Sequence, residues 1–187
     1  MTMIDPAMIT EFLSVKNVSL VTGVPDSVLS GLSDSLETSF GGRHIIAANE
    51  GNSVAIAIGH YLGGGGPAVL YLQNSGLGNI INPIVSLAHA DVYQLPMFLI
   101  IGWRGSPGIS DEPQHVKQGQ STKQMLDMLD IPFWDLDTDK DVILSLNEAW
   151  DEMQKNEKPV AILIKKGRLS KPAKPLRKSV QKHHAIF

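Results

Sequence analysis

Six apolar runs rich in β-branched residues, at 18–24, 44–48, 68–72, 97–103, 133–136 and 160–164, recur along the chain, and a stretch of helical character separates each from the next. Each run has strand length. None alternates strictly between apolar and polar residues, as expected of strands covered on both faces of a parallel sheet. The strict succession of strand and helix predicts an α/β fold with right-handed crossovers: a six-stranded, mostly parallel sheet with helices on both faces. The 187 residues suit one such domain, since two would each be too small to bury a generous core.

Helices are predicted over 6–15, 27–36, 52–62, 80–90, 121–129 and 141–154. Asp5 before Pro6 reads as a cap followed by proline at the first helical position, and Asp26 reads as the cap of the second helix. The glycines at 63–66 read as a flexible helix terminus.

Composition narrows the class. Hydrophobic residues at 43% and charged residues at 19% exclude a disordered, collagenous or coiled-coil chain. Without cysteine there is no disulfide framework, thiolate nucleophile or Cys-type zinc site. The longest apolar stretches reach only strand length, and acids stand where a signal peptide would carry a basic flank. The expectation is a soluble, cytoplasmic protein.

The net charge of −3 conceals an asymmetry: eight of the 16 basic residues follow Ile164 with no acid among them, leaving eight basic against 19 acidic residues before it. The chain is therefore divided into a body, 1–167, and a basic tail, 168–187. Nothing aromatic or amphipathic accompanies the tail's charge, so it reads as a solvated or partner-docking extension, and neither nucleic acid nor a membrane is expected as a partner.

Ligands of open α/β sheets sit at the carboxyl ends of the strands. Four polar, glycine-spaced segments fall there: Thr-Gly-Val-Pro-Asp-Ser at 22–27, Asn-Glu-Gly-Asn at 49–52, Gln-Asn-Ser-Gly-Leu-Gly-Asn at 73–79 and Gly-Trp-Arg-Gly at 102–105. A long loop at 104–120, holding Asp111, Glu112, His115 and Lys117, reads as a substrate lid. Each feature has a plainer reading. Glu50 serves a helix dipole as well as it serves chemistry. The 75–78 loop resembles a phosphate cradle but lacks both the Walker pattern and the full dinucleotide fingerprint. His115 and Lys117 suit a solvated loop, and no His/Glu spacing makes a metal site, so no metal ligand is assigned to this chain.

The segment at 48–61, Ala-Asn-Glu-Gly-Asn-Ser-Val-Ala-Ile-Ala-Ile-Gly-His-Tyr, resembles the stretch around the activating glutamate in the pyrimidine-binding domain of thiamine diphosphate enzymes. Asn-Ser-Gly-Leu-Gly-Asn at 74–79 resembles the Ser-Gly-Pro-Gly loop of that domain, with leucine in place of proline. GVPDS, ANEG, LQNSGLGN, IGWRG and DEPQHVKQGQ together resemble the phosphonopyruvate decarboxylases over roughly 20–167, with the sulfopyruvate decarboxylase alpha subunits as the related alternative.

The resemblance implies a thiamine diphosphate-dependent decarboxylase, a carbon-carbon lyase converting phosphonopyruvate to phosphonoacetaldehyde and CO2. It gives Glu50 the hydrogen bond to pyrimidine N1′ that promotes loss of the thiazolium C2 proton, and places Gln73, Asn74, Ser75 and Gly76 at the cofactor with it. It gives Asp26 and His115 proton transfer; for the substrate's anionic head group Arg104 and Lys117 are the candidates, because a guanidinium grips a phosphonate with two hydrogen bonds and an ammonium serves as a point charge. Family enzymes hold the diphosphate and a divalent metal through a domain with a Gly-Asp-Gly sequence, which this chain lacks. The resemblance therefore implies Mg2+ held by a diphosphate-binding, beta-type partner subunit, in an α2β2 or larger hetero-oligomer active only when assembled. Two readings stand beside it: a regulatory or scaffold subunit of the same fold, and a flavodoxin-like nucleotide-binding module using the 75–78 loop.

Overall fold

Side chains along the central strands point alternately into two separate apolar cores, which is why the apolar runs are continuous. The computed structural model describes residues 3–136 and 141–170. Strands β1 (Val21–Gly23), β2 (His44–Ile46), β3 (Ala68–Gln73), β4 (Met97–Trp103), β5 (Phe133–Asp135) and β6 (Val160–Lys165) form one sheet in the order β2-β1-β3-β4-β6-β5, every pair parallel. The intervening helices are α1 (Pro6–Val15), α2 (Ser30–Phe40), α3 (Glu50–His60), α4 (Leu77–Pro83), α5 (Pro113–Met128) and α6 (Val142–Asn156).

On one face Val69, Tyr71, Phe98, Ile100, Val160 and Ile162 pack with Phe12, Leu36 and Trp150 of α1, α2 and α6. On the other Leu70, Leu72, Leu99, Ile101 and Leu163 pack with Val54, Ile80 and Leu126 of α3, α4 and α5. Each fully buried Leu or Ile contributes about 2 kcal/mol. The expected fold class, an α/β sheet covered on both faces, is what the chain adopts.

The chain steps outward from β1 to β2, then crosses to β3 on the other side of β1, so the direction of winding reverses between β1 and β3. Such a reversal opens a crevice at the carboxyl edge. The loops after β1, β2, β3 and β4 all emerge there, because the strands are parallel.

Three helices differ from expectation. The second begins at Ser30 rather than Ser27, since residues 27–29 form a turn on which the Asp26 carbonyl accepts from Leu29 N at 3.2 Å. The fourth starts at Leu77 and widens beyond Pro83 into a looser turn, Ile84–Ala88. The fifth begins at Pro113 instead of Ser121, so the expected 104–120 lid is a short loop followed by helix, and His115 and Lys117 are helical. Pro113 sits in the first turn, where its missing N–H costs nothing.

Within the glycine stretch Gly65 is held, while the space around Gly63, Gly64 and Gly66 is open. The His60 ring covers Gly65, and Ser19 Oγ bonds both His60 Nε2 at 2.8 Å and the Gly65 carbonyl at 2.6 Å. Past the expected body boundary at 167, Ile4 N donates to Arg168 O at 2.7 Å and Ser170 N to Ile4 O at 2.9 Å, with Leu169 buried. Most of the basic tail, 171–187, lies outside the described residues. Among the described residues no helix is long and apolar enough to cross a membrane.

Candidate active site

Asn49 caps α3, its side chain accepting from Asn52 N at 2.9 Å, and this places Glu50 in the first turn, where the helix dipole favours a carboxylate. Glu50 is half-buried. Its Oε2 accepts from Asn79 Nδ2 at 2.7 Å. Oε1 stands over Gly76, where a methyl group would lie 2.5 Å from it. The glycine thus makes room for the carboxylate. A phosphate at the 75–78 loop would meet a like charge, so the nucleotide-cradle reading loses its support.

Asn74, expected at the cofactor, ties its side chain into the fold. It is 2% exposed; Nδ2 donates to Arg104 O at 3.0 Å and to Thr122 Oγ1 at 2.9 Å, and Oδ1 accepts from Arg104 N at 3.0 Å. These bonds staple the end of β3 to the end of β4 and both to α5. Gly105, at φ +63°, and Gly119 let the backbone of α5 close directly on the turn after β4, and Trp103 Nε1 donates to Gly119 O at 2.9 Å. Gln73 Nε2 donates to Ser75 Oγ at 2.6 Å on the exposed rim.

Asp26 turns inward after β1 and lies against Gly102, leaving no space for a side chain there. It is 6% exposed; Oδ2 accepts from Val28 N at 3.2 Å, and Oδ1 is buried with no hydrogen-bond partner. Burial pushes its carboxyl up, against the opposing pull of the Val28 and Leu29 amides and the Arg104 charge.

Arg104 follows β4 and is clamped by Asp111: Nε donates to Oδ2 at 2.9 Å and Nη2 to Oδ1 at 2.5 Å. Nη1 reaches Ser27 Oγ at 3.2 Å. Asp111, whose side chain is wholly buried, also accepts from Gly105 N at 3.0 Å and Glu112 N at 2.9 Å. The hydrogen bonds from Arg104 hold its carboxyl far below the usual range. Arg104 therefore carries a compensated charge in a fixed orientation.

His115 lies in the first turn of α5, its carbonyl against Gly105 and its Nδ1 buried without a partner. Lys117 is exposed two residues on. The fold thus gathers Glu50 with Gly76, on the segments after β2 and β3, and Asp26 with Arg104, on the loops after β1 and β4, and sets His115 beside the turn that carries Arg104. Sequence reasoning gave no individual role to Asn79 or Ser27, saw Asp111 only as part of the expected lid, and counted Lys166, 3.2 Å from Asp111 Oδ1, among the basic residues after Ile164. Among the described residues no group of three His, Cys, Asp or Glu side chains gathers to hold a metal ion.

The family described as "Thiamine pyrophosphate enzyme, N-terminal TPP binding domain" matches residues 6–129. The chain is 36% identical to a phosphonopyruvate decarboxylase of Streptomyces viridochromogenes over 168 residues, 88% of this chain and 41% of that protein. It is 35% identical to sulfopyruvate decarboxylase subunit alpha of Methanococcus maripaludis over 147 residues, 79% of this chain and 86% of that subunit. The chain thus spans about two fifths of the phosphonopyruvate decarboxylases it matches, at 41% and 37% of their lengths. Benzoylformate decarboxylase from Polynucleobacter necessarius has the same fold, with a TM-score of 0.68 and 20% identity over 91% of this chain and 31% of that one.

Proposed function

The chain belongs to the thiamine pyrophosphate enzymes, through their N-terminal TPP-binding domain, and from this we propose that it supplies the pyrimidine-binding half of a 2-oxo acid decarboxylase acting on phosphonopyruvate. The observation that carries the reading is the seating of Glu50. One carboxylate oxygen is fixed by Asn79 and the other stands free over a glycine at the carboxyl edge of the sheet. That donor set fits the cofactor: a half-buried carboxylate with an uncommitted oxygen is what a ring nitrogen needs for a proton to be shared with it. A scaffold subunit would need no such carboxylate.

Thiamine diphosphate, when bound, supplies the electron sink that lets a 2-oxo acid lose CO2. In the proposed site Glu50 holds the proton at pyrimidine N1′, with Gln73, Ser75 and Gly76 forming the wall beside it. Asp26, its carboxyl pushed up by burial, serves proton transfer at the sheet edge, and His115 stands ready as a second proton carrier. Arg104 presents the face turned toward Ser27 to the substrate's head group, with Lys117 a further cation on α5.

Diphosphate and Mg2+ are assigned to a partner subunit, in an assembly of two chains of each kind or a multiple of it. The partner is supported by the match along most of a protein named as a subunit alpha. Sulfopyruvate is the second reading, favoured by the chain's coverage of 86% and 88% of two sulfopyruvate decarboxylase alpha subunits.

Equilibrium dialysis with labelled thiamine diphosphate, on the chain alone and mixed with a diphosphate-binding subunit, tests the reading together with CO2 release from phosphonopyruvate, sulfopyruvate and pyruvate. Binding and turnover are expected only in the mixture, with phosphonopyruvate preferred. Turnover by the purified chain alone overturns the split site, and a preference for sulfopyruvate overturns the choice of substrate.

A further inference from the structure

The geometry points to Lys166 as a specificity-determining residue: with Arg104 it forms the pocket edge that takes a doubly charged phosphonate head group, and this inference rests on the decarboxylase reading above. Strands β4 and β6 are neighbours, with Trp103 opposite Lys165. Lys166 therefore leaves the sheet beside Arg104, at the same carboxyl edge. Sequence alone counts it among the eight basic residues after Ile164; the strand register sets it beside Arg104.

The charge balance requires a second cation. Arg104 and Asp111 form a clamped pair whose charges cancel, so Arg104 by itself gives a dianion orientation but little net attraction. Lys166 adds a second positive charge beside the Arg104–Asp111 pair, offsetting the acids Asp26 and Glu112 that also face Arg104. It is also the one member free to move. Its Nζ donates to Asp111 Oδ1 at 3.2 Å and Ser110 O at 3.3 Å, both long beside the roughly 2.8 Å of a good charge-assisted bond.

Asp111 does not depend on that contact, because Arg104 and the amides of Gly105 and Glu112 already fill its two oxygens. The Lys166 side chain is 46% exposed against none for Asp111. An anion settling against the Arg104 guanidinium can thus draw the ammonium off Asp111 without leaving a buried charge unpaired. Asp111 acts as the positioning residue for both cations.

The test compares wild type, Lys166→Ala and Lys166→Arg, each full-length chain assembled with a diphosphate-binding subunit, by kcat/KM on phosphonopyruvate and pyruvate. Lys166→Ala is expected to lose about 30-fold on phosphonopyruvate, at least tenfold more than on pyruvate, mainly through KM, with Lys166→Arg restoring most of it. Equal losses on both substrates, or none, overturn the inference while leaving the decarboxylase reading intact. If wild type turns over no 2-oxo acid, that reading fails. Calorimetric titration of the full chain with 3-phosphonopropanoate then decides the site: binding weakened about tenfold or more by Lys166→Ala supports it, and binding that is absent or indifferent to Lys166 overturns it.

Discussion

The carboxylate of Glu50 rests on the Cα of Gly76, with Oε1 2.5 Å from where a methyl group would stand. The backbone at Gly76, φ −74° and ψ −10°, is one that any residue adopts. What selects glycine is the neighbouring side chain, a contact between the loop after β3 and the first turn after β2.

Gly76→Ala is accordingly expected to move Glu50 without unfolding the chain, because the group in the way is the end of a flexible side chain. Thermal unfolding should shift by only about 2 °C, while turnover of the assembled enzyme falls about tenfold or more. Unaltered turnover would show that the seating of Glu50 has no bearing on the chemistry.

Asn74→Ala should act in the opposite sense. Removing the amide leaves the Arg104 N–H and C=O and Thr122 Oγ1 without it as a partner at a buried seam. A loss of about 2 to 3 kcal/mol is expected in urea unfolding. The protein that remains folded should still bind cofactor. Intact stability with lost cofactor binding would return Asn74 to the cofactor site.

Asp26 supplies a pH test. Burial raises its carboxyl above the ordinary 3.8, so between 3.8 and that raised value the folded chain holds a proton that the unfolded chain has released. The stability linked to this group is complete below pH 3.8 and is lost as the pH rises through the folded value. Asp26→Asn, which keeps the shape and removes the ionisation, should therefore match or exceed wild-type stability at about pH 7 and lose that relative advantage near about pH 4. The same variant should lose decarboxylation, since its amide cannot give up a proton. A stability difference that does not vary with pH would contradict the burial argument.

What the sequence revealed and what it concealed divide along the range of the contacts involved. Strands filled from both faces read as continuous apolar runs, and parallel order follows from their alternation with helices; the four polar loops then had to share one edge. The place of Glu50 at that edge was legible for that reason. The start of α5 was not, because Gly119 reads as a helix breaker until the backbone turn at Gly105 is seen pressed against it. Asn74 beside a glycine-rich loop has the same composition whether it faces a ligand or a seam. Lys166 was grouped with the basic residues after Ile164 since a charge run is one-dimensional, whereas its pairing with Asp111 depends on which strands are neighbours.

The central claim is that Glu50 works on the cofactor's pyrimidine, and the rate of hydrogen–deuterium exchange at C2 of thiamine diphosphate bound to the assembled enzyme tests it before any substrate is involved. Glu50→Gln keeps the size of the side chain and removes the group that carries the proton. The account predicts that the variant assembles, binds cofactor and exchanges C2 at least about 100-fold more slowly than wild type. Exchange at the wild-type rate would contradict it.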